Sequence, residues 1–408
     1  MVDYLDLGEL PLANGLLEKK RGCDRYSLQV MFCRKCSLSQ LSLVVDPKIL
    51  YHNYPYRSSM SKTFKRHCYD LAKTLKKEYM SRQQANCYCT GDDYDIPQPT
   101  VVDIGANDGC LLREFSRLGI KALAAIEPDS SMNDLIGKDT PVINNFFPDG
   151  IPGAVRLCWN SMSIGANFST ATNVLAHTDD LSGFVSTLSY VINPYGMVVI
   201  EVPHVQSLIE NMEFDTIYHE HLSYFTLKSL LHLFAGTEMR IFRAERISIH
   251  GGSIRIYADF KQRVVESSVE ELLLDEAKAG FHELARYESF NEKVKNVRTE
   301  LLARLEALKE GGKRILAFGA SAKGCTLLNY CDIGEELVDY VIDDTPSKQG
   351  KFIPGVCLEI KPYDYHDLCK TDAVLLLAWN FKREIMPKIN ASGYKGDWIL
   401  PVEDKVFA

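Results

Sequence analysis

The stretch Val101-Val102-Asp103-Ile104-Gly105-Ala106-Asn107-Asp108-Gly109 decides the fold of the 408-residue chain. A β-branched run ends in an acid and passes into a D-x-G-x-x-x-G turn, which leads into a helical stretch that begins at Cys110. Glycines let the backbone approach a ligand closely, and the N–H groups at a helix start favour an electron-rich group. The spacing differs from the GxGxxG of dinucleotide-binding turns. The stretch therefore predicts the first strand, turn and helix of a ligand-binding α/β sheet.

An acid at the end of the next predicted strand completes this pattern. Glu127 follows the strand predicted at 122–126 and stands 24 residues after Asp103. An acid in this place accepts hydrogen bonds from ribose hydroxyls in nucleotide-binding α/β folds. The pattern favours S-adenosylmethionine, and a tight glycine turn beside a surface acid is the alternative interpretation. The residues predicted to bind this cofactor are Asp103, Gly105, Asn107, Asp108, Gly109, Glu127 and Pro128.

From Thr100 onward, short β-branched runs alternate with helical stretches, as in a parallel sheet with crossover helices. Strands are predicted at 101–104, 122–126, 170–173, 197–202 and 254–257. A second strand–turn–helix pattern predicts strands at 314–318, 337–342 and 373–378. Apolar side chains at helical intervals predict a helix over 61–80 and a charged helical region over 266–310. The polar stretch 81–99 indicates an insertion loop before the first strand of the sheet.

Composition and charge exclude several broad classes of protein. The chain has 46 Lys and Arg against 54 Asp and Glu, and it has no basic block that would track a phosphate backbone. Its longest apolar runs, such as 373–379, are far shorter than the roughly 20 residues of a spanning helix. The acidic N-terminus lacks the basic start of a signal peptide, and the 12 scattered cysteines indicate reduced thiols. We therefore expect a cytoplasmic protein that has neither a membrane nor a nucleic-acid polymer as partner.

Further polar residues follow the strand predicted at 170–173. Asn173 and His177 come at or just after its carboxyl end, the edge at which open α/β sheets bind ligands. Asn173 and Leu175 are therefore predicted to contact the cofactor. His177 is a candidate site residue, and a packed polar histidine is the alternative interpretation.

The stretch 214–225, FDTIYHEHLSYF, carries the densest set of reactive side chains. A histidine titrating near neutral pH suits removal of a proton beside a carbonyl, an adjacent Glu stabilises its imidazolium, and a Tyr hydroxyl donates to a developing enolate. Tyr218, His219, Glu220 and His221 supply these groups. A metal site is a second interpretation, although H-E-H lacks the i, i+4 spacing that places two ligands on one helix face. A purely structural role is the third.

Two glycine-containing loops are further candidates. His250 precedes Gly251 and Gly252 at the start of a predicted strand, which fits either a cleft-lining loop or a structural bulge. The stretch 318–324, FGASAKG, offers backbone N–H groups and Lys323 to a phosphate. It lacks the Lys-Ser/Thr ending and the spacing of a Walker loop. A nucleotide diphosphate is its expected ligand.

Taken together, these stretches resemble the S-adenosylmethionine-dependent C-methyltransferases of deoxysugar biosynthesis, which methylate carbon 3 of nucleotide-linked 4-keto sugars. The segments that carry the match are the CxxC of Cys33 and Cys36 through YPYRSS at 54–59, the turn at 103–109, the run from Asn173 through YHEHLSY at 218–224 to HGGS at 250–253, and GASAKG at 319–324 through LLNY at 327–330 to AWN at 378–380. They span nearly the whole chain in the expected order. The Y-H-E-H run together with H-G-G-S is the most specific of them.

The resemblance implies an enzyme in which His221 is the base, with Glu220 beside it and Tyr218, Tyr56 and His177 around the sugar. It implies S-adenosylmethionine as cofactor and a nucleotide-diphosphate keto sugar as substrate, contacted by His219, His250, Lys323 and Asn329. The implied fold is α/β, with a class I, Rossmann-like methyltransferase domain at 61–265 that carries the insertion at 81–99. A small zinc-binding-type module at 1–60, a helical connector at 266–310 and a second Rossmann-like, sugar-nucleotide-binding domain at 311–408 complete it.

The sequence departs from the pattern of this family in its zinc site. The family uses two CxxC pairs, whereas Cys33 and Cys36 form a single pair, and the chain starts just downstream of where the first pair is expected. Structural zinc normally takes four ligands. Cys23 is a candidate third ligand, and Cys87 and Cys89 in the insertion are weaker candidates. The sequence therefore predicts half a zinc site, with either a natural start upstream or a lost metal as the reason.

Two other classes of protein remain as alternatives. A nicotinamide-dependent sugar-nucleotide oxidoreductase fits two Rossmann-like units, but neither strand–turn–helix carries GxGxxG. A non-catalytic sugar-nucleotide-binding protein fits the incomplete zinc module, but the intact residues Tyr218, Glu220 and His221 favour catalysis. The sequence leaves open the sugar, the nucleotide and the oligomeric state.

Overall fold

A computed structural model describes residues 1–51, 57–86, 97–149, 165–391 and 393–402. Tyr56, Cys87 and Cys89 lie outside these described residues, so what is predicted for them stays a prediction. The chain forms two compact units. The first unit comprises residues 1–55, 205–224 and 279–408, and the second comprises 56–204 and 225–278. Residues 205–224, which contain the Y-H-E-H run, are thus part of the first unit.

The described residues form strands and helices throughout both units. The strands are β1 (Val2–Leu10), β2 (Tyr26–Phe32), β3 (Ser39–Leu41), β4 (Thr100–Ile104), β5 (Ala122–Ile126), β6 (Val142–Ile143), β7 (Ala166–Thr172), β8 (Ile192–Pro203), β9 (Ser223–Tyr224), β10 (Arg240–Ile247), β11 (Ser253–Asp259), β12 (Ile315–Phe318), β13 (Val341–Ile342), β14 (Ile360–Lys361), β15 (Ala373–Leu376) and β16 (Asp397–Ile399). The helices are α1 (Pro47–Leu50), α2 (Lys62–Asn86), α3 (Cys110–Arg117), α4 (Asn133–Ile136), α5 (Leu181–Val191), α6 (Val205–Glu210), α7 (Leu227–Phe234), α8 (Ser267–Lys278), α9 (Leu284–Glu310), α10 (Ala322–Cys331), α11 (Tyr365–Leu368) and α12 (Lys382–Ala391).

The second unit is built on a seven-stranded sheet in the order β10-β11-β8-β7-β4-β5-β6. Strands β8 to β6 in this order run parallel, whereas β11 and β10 are antiparallel at one edge. The chain adds β5 and β6 on one side of β4 and then β7 and β8 on the other. Such a switch point is where open α/β sheets bind ligands. Strand β4, buried along its whole length, and helix α3 confirm the strand–turn–helix predicted around 101–109.

The first unit contains a five-stranded parallel sheet and a small antiparallel sheet. The parallel sheet has the order β14-β13-β12-β15-β16 and confirms the second strand–turn–helix pattern. The Ser321 side chain caps helix α10 by accepting a hydrogen bond from the Gly324 N–H at 3.2 Å. The small sheet has the order β1-β2-β3-β9. Strand β9, which starts two residues after His221, therefore joins a sheet made by the N-terminal residues.

Several boundaries differ from the prediction for physical reasons. Strand β7 begins at Ala166, before the predicted 170, and β10 was not predicted because its sequence, RIFRAERI, carries four charged side chains on a strand near the sheet edge. Helix α2 continues to Asn86 because residues 81–86 include Arg, Gln and Ala, which are good helix formers. Strands β6, β14 and β16 are two or three residues long, too short for an alternating pattern.

The helical region predicted at 266–310 contains two helices. Helix α8 belongs to the second unit and α9 to the first. The apolar stripe of α9 is buried through Tyr287, Phe290, Val294, Val297, Leu301 and Leu305. None of the helices in the described ranges combines the length and the apolar composition that a membrane crossing requires.

Candidate active site

The turn after β4 requires glycine at two positions. Gly105 and Gly109 have φ values of +65° and +73°, in the left-handed region that side chains disfavour. A Cβ atom on Gly105 would lie 2.4 Å from Val174 Cγ2, and one on Gly109 would lie 2.8 Å from Ile136 Cα. These contacts leave no space for a side chain. The turn therefore presents bare backbone at the carboxyl edge of the sheet, as predicted for a ligand site.

Glu127 holds the same turn from the end of β5. Its Oε2 accepts a hydrogen bond from the Asn107 N–H at 2.8 Å, and its Oε1 accepts one from the Asp129 N–H at 3.0 Å. Glu127 is buried, and the following Pro128 is half-buried. Burial raises the pKa of the Glu127 carboxyl. An ionised carboxylate has about four acceptor sites. Glu127 can therefore accept ribose hydroxyls in addition to these two N–H groups.

Asp103 is a buried acid at the carboxyl end of β4. Its Oδ1 accepts a hydrogen bond from Thr170 Oγ1 at 2.6 Å. Burial, together with the nearby carboxylates of Glu127 and Glu201, raises the pKa of Asp103 to about 7, against the opposing effect of the Thr170 hydrogen bond. This edge of the sheet is thus a place where a positively charged ligand would stabilise the ionised acid.

Asp103→Asn is expected to remove a pH-dependent loss of stability. The pKa of Asp103 is about 7 in the folded protein, compared with about 4 in an unfolded chain, so the folded state binds more protons between these values. The free energy of unfolding therefore falls as the pH rises from 4 through 7. At pH 8 the Asn variant should be more stable by on the order of 3 kcal/mol, and the gap should close towards pH 4. Urea unfolding across this range measures it, with exposed Asp139→Asn as control; a gap independent of pH would contradict the expectation.

Asn173 follows directly after β7, the neighbour of β4 in the sheet, and carries a buried acceptor. The residue has φ +56°, and its N–H donates to the Glu201 carbonyl oxygen at 2.9 Å. Its buried Oδ1 has no hydrogen-bond partner among the described residues, and such a group costs about 1–3 kcal/mol. Leu175 is fully buried, and His177 is half-buried in the short helical turn Leu175–His177. Asn173 is thus a ready acceptor for a donor group on a ligand.

A cleft of about 680 Å³ opens beside the start of α3. Residues that line it include Arg57, Ser59, Asp108, Cys110, Arg113 and Ser131. The Ser58 N–H donates to Asn107 Oδ1 and the Ser59 N–H donates to Asp108 Oδ2, each at 3.0 Å. Asn107 and Asp108, which the sequence predicts as cofactor residues, thereby connect the segment 57–60 to the turn.

A buried ionic network at the carboxyl end of β8 is a feature that the sequence analysis missed. The fully buried Glu201 accepts a hydrogen bond from Arg255 Nε at 2.6 Å, and its other oxygen lies 2.7 Å from His67 Nε2. Burial opposes ionisation of Glu201, but His67 and Arg255 together lower its pKa below the usual range. The available signal was the single acid in the apolar run MVVIEVP of β8.

The Y-H-E-H run lies in the first unit, between the short helical turn Phe214–Thr216 and β9. His221 Nδ1 is 2.9 Å from the Thr216 carbonyl oxygen. Because a carbonyl oxygen only accepts, Nδ1 carries the proton in the neutral ring and Nε2 carries the lone pair. The Tyr218 ring lies 4.2 Å from the His221 ring, centroid to centroid. The predicted base and the predicted hydroxyl donor are thus brought together, with the basic nitrogen defined.

The other two residues of the run are held by the N-terminal part of the chain. Asn14 Nδ2 donates to both carboxylate oxygens of Glu220, at 2.8 and 2.9 Å, and Glu220 is 3% exposed. His219 Nε2 lies 3.2 Å from the Tyr26 carbonyl oxygen, and its ring packs on the Tyr26 ring at 5.8 Å. Burial lowers the pKa of His219. These contacts favour a packing role for His219 over the predicted substrate contact.

Lys323 has anionic partners that the sequence did not indicate. Its Nζ lies 3.3 Å from Glu213 Oε2, 3.4 Å from Asp215 Oδ1 and 4.7 Å from the centre of the Trp379 ring. Burial raises the pKa of both acids against the opposing charge of Lys323. In the adjoining turn, the N–H groups of 319, 320, 321 and 324 already donate within the protein. This turn therefore offers a phosphate fewer donors than the sequence predicts.

Asn329 and His250 differ in their surroundings. Asn329 Nδ2 donates to the carbonyl oxygens of Cys325 and Pro354, each at 2.9 Å, so its amide supports the backbone around α10. His250, with φ +51°, lies exposed in the second unit and packs on Phe64 with ring centroids 5.4 Å apart. His250 thus stays available as a lining residue, whereas Asn329 is held within the fold.

Three family models match successive parts of the chain. A zinc binding domain matches residues 1–51, a methyltransferase domain matches 71–241, and a C-methyltransferase C-terminal domain matches 248–402. A curated relative, the C-methyltransferase NovU from Streptomyces niveus, is 29% identical over 390 residues, covering 94% of this chain and 89% of the relative. The chain is thus similar to C-methyltransferases along nearly its whole length. It is an S-adenosylmethionine-dependent C-methyltransferase.

Two solved structures with a weak similarity to this chain are the following. An S-adenosylmethionine-dependent methyltransferase from Aquifex aeolicus has 14% identity and a TM-score of 0.30, covering 39% of this chain and 81% of that one. Magnesium protoporphyrin IX methyltransferase from Synechocystis has 10% identity and a TM-score of 0.33, covering 53% and 98%. The family models confirm the predicted fold class, with a class I methyltransferase domain, a C-terminal domain and an N-terminal zinc-binding-type domain.

The cofactor of this C-methyltransferase fits the described residues of the second unit. Glu127 has acceptor capacity for ribose, Asn173 Oδ1 has no donor among the residues that the structure describes, and Asp103 favours a nearby positive charge. S-adenosylmethionine carries a ribose, an ammonium group and a sulfonium. Its chemistry thus matches the three features.

The described residues do not fit four-coordinate zinc. Cys33 and Cys36 lie in the turn between β2 and β3, where the Ser37 N–H donates to the Cys33 carbonyl oxygen at 2.8 Å. Within the described ranges, no group of three or more His, Cys, Asp or Glu side chains is placed to hold a metal ion. Cys23 therefore does not complete the pair in the described part of the chain.

Proposed function

We propose that this C-methyltransferase adds a methyl group to carbon 3 of a nucleotide-linked 4-keto-deoxysugar. The observation that carries the proposal is the hydrogen bond from His221 Nδ1 to the Thr216 carbonyl oxygen, which leaves the lone pair of the ring on Nε2. Methylation at carbon requires a base that removes a C–H proton. The resemblance to sugar C-methyltransferases supports the sugar nucleotide as the class of substrate.

The proposed chemistry follows from the keto group. A carbonyl at carbon 4 acidifies the proton on carbon 3, and His221 Nε2 takes that proton. The Tyr218 hydroxyl donates to the enolate oxygen, and the negative charge of Glu220 stabilises the resulting imidazolium. Bound S-adenosylmethionine supplies an electrophilic methyl group on a sulfonium, whose departing sulfur keeps the C–S electron pair. The enolate carbon forms the new C–C bond.

The remaining site residues are proposed as follows. Asp103, Gly105, Asn107, Asp108, Gly109, Glu127, Pro128, Asn173 and Leu175 form the cofactor site, and the residues proposed around the sugar nucleotide are Tyr56, His177, His219, His250, Lys323 and Asn329. The contacts of His219, Lys323 and Asn329 within the protein favour indirect roles for these three. His177 and His250 are therefore the first choices for substitution when substrate affinity is measured.

Glu127→Gln is expected to weaken S-adenosylhomocysteine binding by roughly 10- to 100-fold, because hydrogen bonds to a charged acceptor contribute about 1.5–3 kcal/mol. Gln keeps the side-chain length and one carbonyl oxygen for the Asn107 N–H. Calorimetric titration measures the dissociation constant, with exposed Asp139→Asn as the matched control. An unchanged dissociation constant would remove Glu127 from the cofactor site.

The function is tested with methyl-labelled S-adenosylmethionine and 4-keto-6-deoxyhexoses linked to thymidine, guanosine or cytidine diphosphate. We expect label in one of these sugars, and NMR should place the new methyl group on carbon 3. Label at oxygen or at another carbon would contradict the proposal. Absence of transfer together with oxidation of NADH would favour the oxidoreductase alternative, and binding without either reaction would favour the non-catalytic one.

A further inference from the structure

The N-terminal residues hold the Y-H-E-H run on both sides. Strand β3 pairs with β9, with Ser39 opposite Tyr224 and Gln40 opposite Ser223. The Leu41 N–H also donates to the Leu222 carbonyl oxygen at 2.9 Å. The N-terminal domain therefore fixes the backbone directly after His221.

A side chain from the same domain reaches Glu220 across 206 residues of sequence. Asn14 Nδ2 donates to both oxygens of the Glu220 carboxylate, at 2.8 and 2.9 Å. The turn that bears Asn14 is itself fixed, because the Leu16 N–H donates to the Asn14 carbonyl oxygen and Leu17 exchanges backbone hydrogen bonds with Phe352. The amide is therefore held in place, and a donor that reaches both oxygens suits a carboxylate better than a neutral carboxyl group.

We propose that Asn14 is a positioning residue for the methyl transfer: its amide holds the Glu220 carboxylate ionised and oriented next to His221. The inference rests on the proposed function, in which the charge of Glu220 stabilises the His221 imidazolium. Hydrogen bonds to the charged form of an acid favour that form. Without Asn14, Glu220 takes up a proton more readily, and the imidazolium loses its counter-charge.

Two other titratable groups, Tyr51 and Cys325, interact electrostatically with Glu220. The Tyr51 hydroxyl lies 3.5 Å from the Glu220 carbonyl oxygen, and burial with the charge of Glu220 raises the pKa of Tyr51. Cys325 on α10 has its pKa raised chiefly by burial, with contributions from Cys23 and Glu220. Both neighbours are neutral near pH 7 under these shifts. Neither therefore brings a positive charge to the Glu220 carboxylate, and the Asn14 amide is the contact whose removal is tested.

Asn14→Leu tests the proposal because leucine keeps the volume and removes both donors. We expect kcat to fall by roughly 10- to 100-fold, as for the loss of a hydrogen bond to a charged group, while the KM for the sugar nucleotide stays within about twofold. The acid limb of the kcat profile should move to lower pH, because the His221 base loses a nearby negative charge and its pKa falls. Asn14→Asp should lose more activity at pH 8 than at pH 6, because its carboxyl can donate only when protonated.

The control is Glu18→Gln, which removes an exposed contact of the same segment, Glu18 Oε1 to Lys351 Nζ at 2.9 Å. We expect this variant to keep the wild-type kcat and pH profile. A parallel fall in all kinetic constants of Asn14→Leu, without a change in the pH profile, would identify a merely structural asparagine and overturn the proposal.

A second measurement does not depend on the sugar. In histidine-labelled protein, the signal of His221 is assigned by its loss in His221→Ala, and its titration is followed by NMR. We expect the midpoint of His221 to fall by about 0.5 pH unit or more in Asn14→Leu, since the imidazolium loses a nearby charge. An unchanged midpoint in the folded variant would overturn the role of Asn14. A shifted midpoint in a protein that methylates no keto sugar would overturn the proposed function alone.

Discussion

His221→Ala is expected to lower the turnover of methyl transfer by about 10²- to 10⁴-fold, the usual range for a general base. The reason is the fixed tautomer, since the Thr216 carbonyl oxygen accepts from Nδ1 and leaves Nε2 as the basic nitrogen. The dissociation constant of S-adenosylhomocysteine should stay within about twofold, because His221 is proposed to act on the sugar and is not among the proposed cofactor residues. Stopped assays with labelled methyl donor measure the rate, and calorimetry measures the affinity.

Two experiments distinguish the loss of a base from a general loss of structure in the His221→Ala variant. Exchange of the sugar carbon 3 proton with deuterated solvent reports the first step alone, and the His221→Ala variant should lose this exchange as well. Added imidazole should restore part of the turnover, since it can occupy the space of the missing ring. The exposed His232→Ala serves as control and should behave as wild type. Equal losses of cofactor affinity and turnover would instead identify His221 as a structural residue.

The sequence was sufficient where chemistry is local in the chain. The turn at 103–109 could be predicted because its strand, its glycines and its helix start follow one another within a few residues. The lone pair of His221 could not, since it depends on the Thr216 carbonyl oxygen. Every residue has a backbone carbonyl oxygen, so the sequence does not show which one accepts from His221. The sequence could thus identify a histidine as the candidate base, whereas it could not identify the nitrogen that carries the lone pair.

Contacts between distant residues account for most of what was missed. Lys323 was predicted to bind phosphate on the basis of its glycine-containing turn, but the acids that surround it lie about 110 residues away. Asn14 precedes Glu220 by 206 residues, and no local pattern connects them. Tertiary packing brought these groups together, and one sequence gives no measure of it. Predictions for such residues therefore identified candidate groups without their partners.

The charged strand β10 illustrates a different failure. Its residues alternate imperfectly, because Arg243 and Arg246 point to partners Glu266 and Asp275 that come later in the chain. An edge strand such as β10 can carry charged side chains, here in ion pairs with these acids. The sequence pattern therefore indicated polarity at this place, and the strand was not predicted.

Arg255→Met is expected to lower the free energy of unfolding by about 3–5 kcal/mol, the usual cost of removing one partner of a buried ion pair. Glu201 has no exposed side-chain surface, and Arg255 Nε donates to it at 2.6 Å. Methionine fills a similar volume but leaves this carboxylate short of a cation. Urea unfolding at pH 8 measures the loss, and hydrogen exchange of β8 and β11 assigns it to the second unit. The control is Arg246→Met, whose pair with Asp275 is exposed and should contribute at most about 1 kcal/mol.

The pH dependence of this loss distinguishes a missing cation from a packing defect. In the wild type the pKa of Glu201 is lowered, so its stabilising contribution is present above the unfolded value of about 4.3 and is lost as the pH falls through the folded one. Burial raises the pKa of Glu201, and in the wild type both His67 and Arg255 lower it. Without Arg255 only His67 opposes the effect of burial, so the pKa of Glu201 should rise. The variant should therefore be less destabilised at pH 5, where Glu201 binds a proton, than at pH 8. An equal loss at both pH values would mean that the methionine disturbs packing and that the charge of Arg255 contributes little.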